Sequence, residues 1–215
     1  MMRTVALLAA TLALAACVPG LKAPPAPVAH TLALPAAPAG PGPTAVPAPL
    51  VAVPDTAAGA AYATPAMVYR RGDDVVHVFA HHRWADRPAR LVNEALRAAL
   101  EQAGAVALIP GAGTRPDWRL LSELLVLEQD FSARPSVVRL HVRVQLVALP
   151  ERAVAAARTF QLEQPAATDD PAGGAAAANA LLAQLGAQVR ALWLAALASA
   201  PPAGRPVPAP HHPRR

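Results

Sequence analysis

The chain has 215 residues, of which 54% are hydrophobic, while aromatic residues make up only 4% and charged residues 15%. Its 25 prolines make the two ends poor folding material, because 12 lie in residues 19–65 and six in residues 201–215, so the packed core is expected mainly from about residues 62–199. The formal charge of +5 does not indicate a nucleic-acid partner, since residues 65–164 hold 13 Arg against 11 Asp and Glu with the signs interspersed.

The N-terminus has the parts of a bacterial lipoprotein signal peptide over residues 1–16. Arg3 precedes an apolar run that is too short to remain as a permanent membrane span. The run ends in the lipobox Leu14, Ala15 and Ala16 before Cys17. In bacterial lipoproteins such a cysteine carries N-acyl and S-diacylglycerol lipid, palmitate among the chains. The alternative is an ordinary signal peptide with a chance cysteine.

Cys17 is the only cysteine, so an internal disulfide is excluded. More than one acyl chain, at roughly 0.8 kcal/mol per buried methylene, would anchor the protein stably. In bacterial lipoproteins an Asp after the cysteine commonly retains the protein in the inner membrane. Val18 stands there in this chain, which predicts an outer-membrane protein facing the periplasm. Residues 17–27 are then the lipidated cysteine and a Pro-rich tether.

Short apolar segments follow the tether in chain order. The sequence predicts two short strands, Val28 to Leu34 and Leu50 to Val53, which are separated by a Pro-rich insertion at 35–49. Residues 67–70 and 75–79 flank a turn sequence and predict a β-hairpin.

A helix is expected after the hairpin, from Asp86 to Ala103. Asp86 is a good N-cap, Pro88 suits the first turn, and apolar residues recur at helical spacing. Val106 to Ile109 then predicts a short strand.

The second half of the chain predicts three long strands and one long helix. Their ranges are 118–131, 138–148, 153–162 and 172–198. Asp170-Pro171 opens the helix, with the proline at its first turn, and residues 200–215 form a Pro-rich tail that we expect to be disordered. The expected fold is a single α/β domain over residues 28–199, in which a mixed, mostly antiparallel sheet packs against two helices.

The sequence lacks the motifs of common enzymes. It contains neither a Gly-rich loop with Lys and Ser or Thr nor a Gly-x-Ser-x-Gly elbow. We therefore expect no catalytic residues and no ATP site in the chain itself.

Two polar clusters have a functional and a simpler interpretation. The first is a candidate metal site, with exposed histidines at a strand-to-helix junction as the alternative; it comprises His77, His81, His82 and Asp86. The last three of these residues would serve a hydrolase in a third function hypothesis. The second would bind phosphate headgroups or form an ordinary solvated sheet face; it comprises Arg139, His141 and Arg143.

Several segments resemble the ABC-type transport auxiliary lipoprotein component family, which includes the paraquat-inducible (Pqi) intermembrane transport lipoprotein. Family members typically have a Met-Val-Tyr-Arg strand, then Tyr-x-x-x-x-Trp-x-x-x-Pro leading into a helix. Residues 67–70, Trp84 and Pro88 match these positions, whereas Phe79 stands where tyrosine is common. Residues 127–131 resemble the family's Glu-Gln-Asp-Phe strand end.

The resemblance implies a non-catalytic subunit of an intermembrane lipid transport system. An ABC ATPase and permease in the inner membrane would drive it, and an MCE-type protein would carry lipid across the periplasm. The auxiliary lipoprotein would dock that conduit at the outer membrane, with no cofactor and possible homo-oligomers. Arg83, Trp84 and Arg87 are the candidate partner interface, and a buried helix-capping role is the alternative for Trp84. A structural or assembly lipoprotein that partners an outer-membrane barrel is the alternative function.

Overall fold

The computed structural model describes residues 25–32 and 47–200, apart from residues 73, 109, 110, 112 and 150–152. Cys17 and its lipobox therefore lie outside the described residues, as do residues 33–46 and the tail from 201 onward. The expectations for the signal peptide, the lipidation, most of the Pro-rich insertion and the tail stay predictions.

Nine strands and two α-helices make up the described chain. The strands are β1 (Val28–His30), β2 (Leu50–Ala52), β3 (Ala57–Ala58), β4 (Ala66–Arg70), β5 (His77–Trp84), β6 (Val106–Leu108), β7 (Trp118–Asp130), β8 (Val137–Ala148) and β9 (Ala153–Pro165). The helices are α1 (Pro88–Gln102) and α2 (Pro171–Ser199), and a 3₁₀ turn covers Ala60–Tyr62. The long strands and both helices lie where the sequence predicts them, whereas β3 and the 3₁₀ turn had no clear sequence signal.

The long strand β7 organises the sheet. On one edge β8 pairs with it antiparallel along its full length, and β9 pairs with β8 in the same way. On the other edge three short strands follow one another in parallel pairing: β2 near the start of β7, β3 near its middle and β4 at its end. β6 extends the sheet beyond β2, while β5 and then β1 extend it beyond β4.

The sheet is mixed, as expected, but the expectation of a mostly antiparallel sheet is wrong. Among the described strands, five of the eight pairings are parallel. The antiparallel pairings join strands that are consecutive in the chain, which a short connection permits. The parallel pairings join segments that are far apart in sequence. No local sequence pattern predicts which of these segments pair.

The two helices lie against each other and against the same side of the sheet. Helix α2 is long and apolar enough to span a membrane by length and composition, but its inner face lies in the core. Leu181, Leu185, Val189 and Trp193 are at most 1% exposed. The edge of the Trp193 ring packs against Trp118 at 5.2 Å between centroids, a contact worth about 1 kcal/mol beyond burial.

The two helix starts differ in how well the sequence predicts them. Helix α2 begins as expected, because the Asp170 side chain accepts a hydrogen bond of 2.7 Å from the Gly173 amide. The N-cap of helix α1 lies one residue later than expected: it is Arg87, whose amide donates to the Asp86 side chain at 2.7 Å. The reason is Pro88, which disfavours helical backbone at the residue before it, so the helix begins at the proline itself.

Candidate functional site

The junction between β5 and α1 contains the three residues expected at a partner interface. Trp84 is only 4% exposed and belongs to the core. Its indole therefore has the buried role that was the alternative in the sequence, and it is not itself a surface contact. Arg83 and Arg87 are exposed on either side of it.

A surface cleft of about 220 Å³ lies beside this junction. Its lining includes Arg87 and Arg90 from the start of α1, together with Asp55 and Tyr62 from the opposite wall. Asn93 anchors the wall to the helix, since its amide nitrogen donates to the Pro54 carbonyl at 2.7 Å. The cleft is lined by both positive and negative side chains, which suits a polar contact with another protein.

The candidate metal residues do not form one site in the structure. His77 stacks on Tyr69, and His82 stacks on His30. Asp86 forms an ion pair with Arg90 at 3.1 Å, and His81 is exposed. Within the residues that the structure describes, no group of three His, Cys, Asp or Glu side chains is arranged to hold a metal ion.

The arginines of β8 face carboxylates rather than open solvent. Arg139 contacts both Asp130 on β7 and Glu163 on β9, and Arg143 donates to Glu123 at 2.7 Å. Because these positive charges are compensated within the sheet, the solvated-face interpretation fits them better than phosphate binding. His141 is half-buried on the same strand.

A row of half-buried rings was missed in the sequence. Phe131 and Phe79 both pack on Tyr69, at 5.8 and 4.5 Å between centroids. Phe79 in turn contacts His82 at 6.4 Å, and His82 stacks on His30 at 5.3 Å. The row thus leads from the end of β7 across β4 and β5 to β1. Three separate segments build it, so no single motif reveals it.

The described domain matches a known family. The sequence model of the ABC-type transport auxiliary lipoprotein component family matches residues 30–190, about three quarters of the chain. The chain belongs to this family. It is thus an auxiliary lipoprotein component of ABC-type transport, and the family implies membrane anchoring and a non-catalytic role. Membership confirms the resemblance at the family level.

Solved structures agree with the fold of this auxiliary lipoprotein. Protein XCC0632 from Xanthomonas campestris, of family DUF330, superimposes with a TM-score of 0.68 at 19% identity, covering 80% of this chain and 97% of that one. An uncharacterized protein superimposes with a TM-score of 0.62 at 16% identity, covering 79% and 99%. At such identities the similarity shows the fold alone. No curated protein matches the chain.

The histidine pair at the end of the ring row joins β1 of this auxiliary lipoprotein to β5. His30 Nε2 and His82 Nδ1 are 2.9 Å apart, so one ring must be neutral to accept the hydrogen bond. Burial lowers the pKa of His30 first and the neighbouring His82 lowers it further, while Asp170 at the start of α2 opposes them. Protonating both rings would weaken the attachment of β1.

We expect His30→Gln to reduce the pH dependence of stability. A histidine whose folded pKa lies below its unfolded value of about 6.5 contributes stability above that pH, which is lost as the pH falls below it. The wild type should therefore lose more stability than His30→Gln between about pH 7.5 and about pH 5.5. Urea unfolding at both pH values measures this, with exposed His81→Gln as the control. Equal losses in wild type and His30→Gln would contradict the assignment.

Proposed function

We propose that this chain is the outer-membrane lipoprotein subunit of an ABC-driven, MCE-type intermembrane lipid transport system. The observation that carries the proposal is the family match over residues 30–190, since that family supplies auxiliary lipoproteins to ABC-type transport. The lipobox before Cys17 and the Val18 that follows it support an outer-membrane location facing the periplasm.

In this role the domain docks the periplasmic end of the conduit at the outer membrane. The ATPase and permease supply the energy from the inner membrane, and an MCE-domain protein is the direct partner. A homo-oligomer would suit a docking collar around the conduit. Docking needs an anchor, a rigid domain and a contact surface, but no catalytic residues.

We propose that the partner contacts Arg83 and Arg87, next to the cleft at the start of α1. Both side chains are exposed, and the buried Trp84 between them fixes the backbone from inside the domain. Arg90 lines the same cleft but is paired with both Asp86 and Glu94, so the positive charge of this surface comes from Arg83 and Arg87. The resulting surface fits an acidic or hydrogen-bond-accepting patch on the partner.

The test is a pull-down of tagged, full-length protein from gently solubilised envelopes, with mass spectrometry of the co-purified proteins. We expect an MCE-domain protein and its ABC permease to be recovered. The double variant Arg83→Glu, Arg87→Glu should recover about tenfold less of them, a loss of about 1.4 kcal/mol in the contact. The double variant Arg115→Glu, Arg119→Glu reverses two exposed charges before and at the start of β7 and is the matched control.

Three results would change the proposal. Recovery of an outer-membrane barrel alone, from folded and acylated protein, would favour the assembly function instead. Unchanged recovery with the double variant would move the interface elsewhere on the domain while leaving the transport role in place. An equal loss with Arg115→Glu, Arg119→Glu would attribute the effect to total charge rather than to the β5–α1 junction.

A further inference from the structure

The strand register shows at which end of the domain the N-terminal chain enters. β1 runs parallel to β5 with Val28 beside His82, so the residues before Val28 lead back toward the start of β5 at His77. This is the end of the sheet at which β7 finishes and the β4–β5 connection projects. We call residues 71, 72 and 74–79 the hairpin tip.

The chain between Cys17 and Val28 is long enough to bring a lipid on Cys17 level with the hairpin tip. The eleven residues from Cys17 to Pro27 span at most about 38 Å when fully extended. Val28 lies level with His82, which is about 17 Å along β5 from His77. An acylated Cys17 therefore permits direct contact between the hairpin tip and the bilayer surface.

Exposed apolar side chains concentrate near this end of the domain. Within the described residues, eight large hydrophobic side chains are exposed, and three of them lie on the hairpin tip. Val75, Val76 and Val78 are 53%, 45% and 57% exposed. Single exposed apolar residues are ordinary on a protein surface, but this clustering is not.

The aromatic residues show the same bias. All eight aromatic residues are described, and five of them are buried in the core. The remaining three are half-buried and pack together: Phe79 on the hairpin tip, with Tyr69 and Phe131 next to it. The guanidinium of Arg71 lies 5.4 Å from the centre of the Tyr69 ring. A tyrosine with an arginine above it is a pairing suited to the polar boundary of a bilayer.

The charges of this segment do not point to a purely electrostatic contact. Arg70 and Arg71 are balanced in sequence by Asp73 and Asp74. Arg70 is also paired with the buried Glu128 at 2.9 Å. Attraction to anionic headgroups is therefore weak here, and a contact with lipid would depend mainly on the exposed valines and the rings behind them.

We infer that the hairpin tip is a second membrane contact, which inserts Val75 and Val76 into the headgroup boundary while the acyl chains of Cys17 hold the bilayer nearby. The inference rests on the lipid anchor of the proposed function. The contact would orient the sheet with the end of β7 and the β4–β5 connection toward the membrane. The β2–β6 end would then face away from it.

The test uses the full-length acylated protein in vesicles of phosphatidylethanolamine with a minority of phosphatidylglycerol. Cys17 is the only native cysteine and is blocked when acylated, so Val76→Cys introduces one reactive thiol for an environment-sensitive fluorophore. Val154→Cys is the matched control, because Val154 is 59% exposed on β9 near the opposite end of the sheet. The two ends of β7 are about 40 Å apart.

We expect the fluorophore at Val76 to shift its emission to shorter wavelength and to be quenched by lipids with a doxyl group near the headgroup. The fluorophore at Val154 should show neither effect. High salt should leave the emission shift at Val76 unchanged, because the contact is apolar. Loss of the shift at high salt would show that the contact is electrostatic and would overturn the inference.

Other outcomes overturn the inference in distinguishable ways. A Val76 probe that stays in water on acylated protein overturns the membrane contact alone and leaves the transport function standing. A short-wavelength shift without lipid quenching assigns the surface to a protein segment, either the chain's own tether or a partner. An unacylated protein, recognised by its intact mass, overturns the anchor and with it this inference.

Discussion

Gly173→Ala should lower the free energy of unfolding by about 2–3 kcal/mol, although alanine is the better helix former by about 1 kcal/mol. A Cβ on Gly173 would lie 2.3 Å from the Thr168 carbonyl oxygen and 2.9 Å from the Thr168 amide nitrogen. Both are backbone atoms, so relief would require movement of the loop before α2 or loss of the Asp170 cap. Urea unfolding at neutral pH measures the change.

Two further glycine-to-alanine variants test whether the loss at Gly173 comes from close contact with backbone atoms. Gly174→Ala should cost less, because its Cβ would lie 2.2 Å from the Gln129 side-chain oxygen, and a side chain yields more readily than backbone. The cost is not zero, since Gln129 is 3% exposed and donates to Ser136 at 2.9 Å. Gly59→Ala is the control, with nothing within 4 Å, and should stay within about 0.5 kcal/mol. A fully stable Gly173→Ala would contradict the close packing.

Local patterns predicted the elements whose cause is local. The alternation of apolar and polar residues on β8 placed its buried face correctly, since Leu140, Val142 and Val144 are fully buried. The Asp170-Pro171 pair marked the start of α2 because a cap and a proline act on neighbouring amides. Such signals depend on a few adjacent residues, so they can be recognised without knowledge of the tertiary fold.

The position of Trp84 could not be predicted in this way. The register of β4 and β5 shifts between the pairs Ala66–Arg83 and Val68–Val78, so two steps on β4 face five on β5. An irregularity of this kind breaks the alternation that tells which face a residue occupies. The sequence alone therefore left the indole either buried or available to a partner.

The parallel pairings and the ring row have the same origin. β1 lies beside β5, and His30 meets His82 across 52 positions of the chain. Phe131 contacts Tyr69 because β4 runs beside the end of β7. These contacts depend on the sheet order, which follows from how the whole apolar surface is buried, and no spacing within one segment encodes them.

Arg139→Met should lower the free energy of unfolding by about 2–3 kcal/mol at neutral pH, because it leaves a buried carboxylate without its partner. The Asp130 side chain is only 8% exposed where it meets Arg139, which is itself 33% exposed. Burial raises the pKa of Asp130, but hydrogen bonds from Ser132 and Arg139 outweigh burial and hold it below its ordinary value. Removing the arginine should raise that pKa.

The matched control is Arg143→Met on the same strand, whose pair with Glu123 is 51% and 42% exposed and should contribute at most about 1 kcal/mol. Because the folded pKa of Asp130 is depressed, the stabilisation is present above the unfolded value of about 3.9 and is lost as the pH falls through the folded value. Urea unfolding should therefore show the gap between wild type and Arg139→Met narrowing in acid. Equal losses for both arginines, or a gap that does not change with pH, would show that Asp130 is stabilised without Arg139.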